Sequence, residues 1–466
     1  MKPSIVWFRD DLRVADNPAL RAAADDGAVV GLYVLDDVSP GIRPLGGAAR
    51  WWLHHSLVAL GEELEALGVP LVLGRGPASD VVKEAATELG AGALYWNRRY
   101  GKPERTVDAG VKAWARESGL HVESFQASLL HEPWAVTTKQ GGPFKVFTPF
   151  WRVVSGMDFR EPLDAPEPGR GFSGKLPSRD DLDTWKLLPR NPDWSRGLSE
   201  RWQPGVAQGH ELLEEFIDNR LADYSANRDR PDLPGSSRLS PFLRWGQLSP
   251  FQVWHAQQRR RRELGEGPAV FASELGWREF CWHQYFHHPE LATANLRAGF
   301  DRYPWARLDG LAARPGGLAR PGGEGSPAAL LRAWQQGRTG FPLVDAGQRE
   351  LWHTGWMHNR VRMVSASLLV KNLGIHWQVG ERWFWNTLVD ADPASNPANW
   401  QWVAGSGADA SPFFRIFNPE SQSAKFDPQG RYAGQWIPEL GTPDYPGPVV
   451  DLKASRQEAL DAYRSL

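Results

Sequence analysis

Cysteine is almost missing from this sequence of 466 residues: Cys281 stands alone. One thiol excludes a disulfide framework and any Cys-rich zinc or iron–sulfur site. Long apolar runs are missing as well. Nothing approaches the roughly 18 residues that a membrane span needs, and the apolar stretch within residues 1–10 is too short for a signal peptide. The expectation is a soluble cytoplasmic protein with no membrane partner. Excess charge of either sign is absent too, with Lys+Arg 53 against Asp+Glu 55, a net charge of −2. At 41 % hydrophobic and 23 % charged residues, disorder, collagen and coiled coil are excluded for the chain as a whole. The length implies two or three domains. What is abundant is tryptophan: 24, against 20 Phe and 9 Tyr.

The first 130 residues alternate short apolar runs, at 5–8, 28–35, 69–73, 93–96 and 122–125, with helical periodicity at 50–67 and 79–89. This pattern predicts a Rossmann-like parallel sheet covered on both faces. The first strand is not followed by Gly-x-Gly-x-x-Gly but by Phe8-Arg-Asp-Asp-Leu-Arg13, which speaks against an ordinary dinucleotide site. Residues 160–205 are rich in Pro, Gly, Asp and Arg and read as a surface connector, pinned by Trp185, Trp194 and Trp202. From His210 onward the periodicity is helical, at 211–223, 250–262, 270–285, 327–336, 350–371 and 381–389, and predicts a helix bundle. Residues 310–326 read as a mobile loop. The predicted organisation is an α/β domain over 1–130, a linker over 131–205 and an all-α domain over 206–466. Charge is uneven: residues 225–425 hold 23 Lys+Arg and 17 Asp+Glu, 23 − 17 = +6 locally. That suits an anionic partner, although Arg259 to Arg262 read rather as a solvated face.

Polar segments interrupt the helical half. Gly235-Ser-Ser-Arg-Leu-Ser240 offers N–H groups and hydroxyls to a phosphate, or is a plain helix cap. Glu274, Trp277 and Arg278 share a helix face and suit a heterocycle, or form an ion pair beside a core Trp. Asn359, Arg362 and Met363 share another face. His353 and His358 lack the spacing of a zinc pair, so no metal is expected. Asp390 and Asp392, with Asn396 nearby, can pair with Arg362 or with a ring edge, or mark an Asx turn. Phe413-Phe-Arg-Ile-Phe417 sets Arg415 among aromatics, as phosphate contact beside stacked bases requires.

In order and spacing these segments resemble the photolyase/cryptochrome flavoprotein family over nearly the whole chain. The resemblance rests on Val6-Trp-Phe-Arg-Asp-Asp-Leu-Arg13 with Asp16-Asn17, Lys145-Val-Phe-Thr-Pro149, the Gly-Ser-Ser-Arg-Leu-Ser segment, Thr354-Gly-Trp-Met-His-Asn-Arg360, Asp390-Ala-Asp392 and Trp400-Gln-Trp402. It implies an α/β N-terminal domain, a long linker and a helical FAD-binding domain. The implied function is light-driven repair of cyclobutane pyrimidine dimers in UV-damaged DNA, by a monomer. A cryptochrome-like blue-light receptor, a (6-4) photolyase and an inactive flavin-binding protein are the alternatives.

Position by position, the resemblance assigns Tyr224, Ser236, Ser237, Arg238, Leu239 and Ser240 to the flavin diphosphate and ribityl chain. Arg278 and Asn359 would add contacts, and Arg362 would pair with Asp390 beside the ring. Asp392 would meet the ring's polar edge, and Asn396 would face flavin N5. Glu274, Trp277, Met363 and Trp402 would line the dimer pocket, Glu274 acting with Asn396 in catalysis. Arg228, Arg360 and Arg415 would hold DNA phosphates. Trp400 and Trp377 would carry electrons to the flavin. An ungapped count back from Pro327 puts the family's outer Trp at Glu324, which leaves Trp305, Trp352, Trp383 and Trp385 as substitutes. Glu104 matches a folate-contacting glutamate, so an antenna could be a folate, a deazaflavin, a second flavin or absent.

Overall fold

The computed structural model describes residues 2–260, 263–306, 308, 325–410 and 414–466. Strands and helices alternate through its first quarter: β1 (Ser4–Phe8), α1 (Pro18–Asp26), β2 (Val29–Leu35), α2 (Gly47–Ala66), β3 (Leu71–Arg75), α3 (Ala78–Leu89), β4 (Ala93–Asn97), α4 (Lys102–Glu117) and β5 (His121–Phe125). The strands form one sheet in the order β3-β2-β1-β4-β5, and every neighbouring pair is parallel. β1, β2 and β4 are buried at every residue, the consequence of helices on both faces of the sheet. The Rossmann-like expectation is met.

The opening motif after β1 is spent on structure. Arg13 is buried and donates to the carbonyl oxygens of Asp16, Gly246 and Ala127. Arg9 pairs with Asp108 at 3.2 Å, and Asn97 donates to Asp11 at 2.6 Å. Asp10 accepts from Arg244 at 2.7 Å, and Arg244 in turn reaches the carbonyl of Ala391. These contacts tie the sheet to the helical half.

α5 (Phe147–Val154) and α6 (Arg196–Arg201) lie along the connector. Its Trp185 and Trp202 are buried in the core that covers one sheet face, and Trp194 packs against that core. The helical half follows as α7 (Val206–Asn219), α8 (Tyr224–Asn227), α9 (Ser240–Arg244), α10 (Pro250–Arg260), α11 (Gly267–His287), α12 (Pro327–Gln335), α13 (Pro342–Thr354), α14 (Asn359–Ser367), α15 (Trp377–Thr387), α16 (Ser395–Ala404), α17 (Pro419–Phe426), α18 (Arg431–Trp436) and α19 (Leu452–Arg464). A second core rich in Leu, Val and Trp sits among α12 to α16.

One element departs from the periodicity. Residues 350–371 read as one helix, but the chain breaks after Thr354. Gly355 takes a left-handed φ of 67° as the cap of α13, and His358 Nδ1 accepts the Arg360 N–H at 3.2 Å to open α14. The apolar spacing continues across the break because both helices bury into the same core. The short 355–358 turn carries Trp356 and Met357 onto the wall described next.

Candidate active site

A cavity of about 470 Å³ opens between α11, α14, α15 and α16. α11 contributes Glu274, Trp277, Arg278 and Cys281, spaced so that successive turns present them on one face. Burial pushes the Cys281 thiol up to about 12, which makes it wall rather than nucleophile. α14 contributes Asn359, Arg360, Arg362 and Met363, and α16 contributes Asn396, Trp400 and Trp402. Ser240, Asp390 and Arg228 add to the polar part of the wall.

The charged groups are paired in a definite pattern. Arg362 grips Asp390 with two parallel bonds of 3.1 and 2.8 Å, and the Ser240 hydroxyl donates to the same carboxylate at 2.6 Å. Arg228 pairs with Glu274, and Arg360 pairs with Asp229 at 2.6 Å. Arg278 donates to the Ser128 carbonyl at 2.8 Å, which anchors α11 to the segment after the sheet. The Asn396 amide nitrogen donates to the Glu381 carbonyl at 3.0 Å and to Glu381 Oε1 at 2.8 Å.

Two of the four indoles on the wall, Trp277 and Trp402, are backed by other rings. Trp277 stacks on Phe147 at 3.8 Å with an interplanar angle of 9°. Trp402 is flanked by the Arg415 guanidinium at 5.2 Å and by Phe417. Trp400 lies deeper, against Phe384 at 5.0 Å and Trp334 at 6.2 Å. A Cβ on Gly380 would come within 2.1 Å of the Trp400 ring, so only glycine lets α15 approach so closely.

Several expected residues lie off the wall. Tyr224 is buried edge-on against Phe216 and Phe271. Asp392 Oδ1 accepts the N–H groups of Ala394 and Ser395, which spends that oxygen on the turn into α16. Ser236 and Ser237 cap no helix: α9 begins at Ser240, and no side chain caps it. Leu239 is buried, and Ser237 Oγ accepts only a long bond from its N–H at 3.5 Å. Arg238 has a positive φ of 59°, and its Nε is buried without a partner. Trp377 is fully buried and donates to Asn295. Trp377 is 5.6 Å from His376, which is 4.8 Å from Trp305. Glu324, where the ungapped count lands, is outside the described residues, as is most of 310–326. Glu104 sits apart in the first turn of α4, its carboxyl raised by burial and one oxygen without a partner. Among the described residues no His/Cys/Asp/Glu group could hold a metal, and no helix is long and apolar enough to cross a membrane.

These residues fit a large anionic ligand with a planar, polar-edged ring. Arg238 has an unsatisfied buried donor, Asn396 keeps its amide oxygen for the cavity, and Asn359 and the Arg362–Asp390 pair frame the wall between them. Residues 4–168 match the DNA photolyase family model, and residues 271–443 match the FAD binding domain of DNA photolyase. A deoxyribodipyrimidine photo-lyase of Agrobacterium fabrum is 44 % identical over 100 % of this chain and 98 % of that protein. The chain belongs to the photolyase/cryptochrome family. Its enzyme class is that of the photo-lyases it matches end to end. Cryptochrome-1 of Arabidopsis thaliana is 37 % identical over 94 % of this chain, which spans 63 % of that longer protein. Among solved structures, a bacterial class III photolyase from Agrobacterium tumefaciens superimposes with a TM-score of 0.91 at 44 % identity, covering 100 % of this chain and 98 % of the other.

Sequence reasoning missed Glu381, Arg43 and the ring behind Trp277. Phe147 falls inside a quoted family segment, but its stacking partner is 130 positions away. Arg43 and Glu381 are separated by 338 positions, and no local pattern announces such a pair.

Proposed function

We propose that the cavity holds FAD together with a cyclobutane pyrimidine dimer flipped out of UV-damaged DNA, and that the protein repairs the dimer in light. The observation that carries this reading is the joint presence of Glu274, Trp277, Met363, Trp402 and Asn396 on one wall. Reduced flavin, when bound, supplies on excitation the electron that splits the cyclobutane ring and takes it back afterwards.

The protein's own groups do the rest. Trp277 and Trp402 offer aromatic faces that replace the stacking a dimer gives up on leaving the helix, a loss of roughly a few kcal/mol. Glu274 hydrogen-bonds the pyrimidine edge and stabilises charge that develops there. Arg228 and Arg360 turn toward phosphates flanking the lesion, and Arg415 stands exposed beside Trp402 for the same task. Asn396 presents a neutral oxygen where a flavin N–H would lie.

Electrons that restore oxidised flavin enter through Trp400 and Trp377. Trp305, half-buried and joined to Trp377 through the His376 ring, is the outermost member in this reading. The likeness to Cryptochrome-1 supports a light-receptor reading as the second choice. Asn396 argues against it, because the family resemblance implies an Asp at that position in plant-type receptors.

The test is reduced, FAD-loaded protein under blue light with an oligonucleotide carrying one thymine dimer. Restored thymines, counted by chromatography, are expected. A flavoprotein that returns no thymines over many equivalents would overturn the repair reading and favour the receptor. An absorption spectrum of the purified protein shows the flavin and any antenna chromophore in the same measurement.

A further inference from the structure

We propose that Arg43, in the segment leading into α2, is a positioning residue that acts through Glu381 to fix the Asn396 amide with its oxygen toward the cavity. The proposal deepens the reading that FAD binds there with N5 near Asn396, and rests on it.

The geometry runs in one line across the molecule. Arg43 gives two parallel bonds to Glu381, 2.6 Å to Oε1 and 2.9 Å to Oε2. The Glu381 side chain is only 2 % exposed, and the Arg43 guanidinium is the cation that its two oxygens meet. An ionised carboxylate accepts hydrogen bonds and cannot donate them. Asn396 answers with its NH₂ group, one hydrogen to Glu381 Oε1 and the other to the Glu381 carbonyl. Both amide donors are then spent. Turning the amide over would set its oxygen against two other oxygens, so the chemistry of the partners decides the orientation. Oδ1 is left for the cavity that Asn396 lines.

The segment around Arg43 is built to hold this line in place. Its guanidinium lies 3.9 Å from the Trp385 ring centre. Trp385 Nε1 donates to the Pro44 carbonyl at 2.9 Å, and the Gly47 N–H donates to Asn386 Oδ1 at 3.0 Å. A Cβ on Gly46 would fall 2.1 Å from the Trp385 carbonyl oxygen. Residues 43–47 therefore lie flush on α15, and the α/β layer reaches the cavity through one buried carboxylate.

An amide oxygen at this point favours reduced flavin, whose N5 carries a hydrogen to donate. An amide NH₂ would favour oxidised flavin, whose N5 only accepts. Replacing Arg43 by Met removes the fork that holds both Glu381 oxygens in place, so the carboxylate no longer fixes the amide, which is then free to turn. Replacing Glu381 by Gln has the same result by another route: Arg43 demands the Gln oxygen, and the Gln NH₂ then faces Asn396.

The experiment uses FAD-loaded protein, photoreduced and then left in air and darkness while the absorbance of oxidised flavin returns. Arg43→Met and Glu381→Gln are each expected to reoxidise roughly tenfold faster than wild type, the worth of one ordinary hydrogen bond. Arg43→Lys should fall between, because it keeps the charge and loses the fork. The double variant should be no faster than either single one, since both act on one path. Flavin content and thermal unfolding are measured alongside. A wild-type rate in a fully loaded Arg43→Met protein, or effects that multiply in the double variant, would overturn the proposal. Should Arg43→Met fail to fold, the nearly isosteric Glu381→Gln decides, and an unchanged rate there is equally fatal. Wild-type protein that binds no FAD would sink the flavin reading itself, a separate outcome.

Discussion

The opening motif of the α/β layer and the wall of the helical cavity are equally dense in charge, yet they spend it differently. Around β1, Arg9, Asp10, Asp11 and Arg13 find partners inside the fold, with the Arg9 Nε left over, and Arg13 alone satisfies three main-chain carbonyls. On the cavity wall the pairs are incomplete toward the interior: Asn396 keeps an oxygen, and Glu274 is held by an arginine that is itself only partly buried. A closed network holds domains together, whereas an open one is ready for a ligand. Motif density alone does not tell the two apart.

The contrast is tested hardest at Arg13. Arg13→Met should cost roughly 3 kcal/mol or more, because each buried carbonyl left without a donor costs about 1–3 kcal/mol. Denaturant unfolding followed by fluorescence measures it. A loss under about 1 kcal/mol would mean that these charges are not structural and would erase the distinction. At Glu274 the expected effect lies in chemistry instead. Glu274→Ala should lower dimer repair about tenfold while flavin content stays full, in line with a few kcal/mol or less of lost transition-state stabilisation. Flavin loss in that variant would put Glu274 on the structural side.

The electron path gives a smaller effect with a sharper readout. Trp305→Phe should slow photoreduction of oxidised flavin several-fold and leave repair by chemically prereduced protein untouched. If Trp400→Phe stops photoreduction and Trp305→Phe does not slow it, electrons leave the protein elsewhere, and the stacked pair Trp352–Trp383 at 5.9 Å becomes the alternative.

What the sequence reveals follows from what is local. Strands of five to seven residues showed as apolar runs because both sheet faces are covered, and the faces of α11 and α14 showed because helical spacing brings residues three and four apart together. The break at Gly355 stayed hidden because apolar spacing continues through it. Trp305 was missed as a neighbour of Trp377 because its link runs through His376, 71 positions further along the chain. The Arg43–Glu381–Asn396 line was invisible because only the folded chain joins residues so distant in sequence.

The smallest effect separates the three arginines assigned to phosphate. Arg228 must leave Glu274, and Arg360 must leave Asp229, before either can serve DNA, so each exchanges one ionic partner for another. Arg415 is exposed beside the Trp402 ring, and among the described residues no carboxylate hydrogen-bonds to it; Asp409 acts on it only through its charge. Its contact with phosphate is therefore nearly all gain. Arg415→Ala should lower the slope of log affinity against log salt by about 1, the contribution of a single phosphate contact. Arg360→Ala should lower it by less, because in the wild type the counterion that its phosphate contact releases is offset by one that the freed Asp229 takes up. Equal slopes for the two variants would show that the Arg360–Asp229 pair opens at no cost, and that pairing within the free protein does not govern how this wall meets DNA.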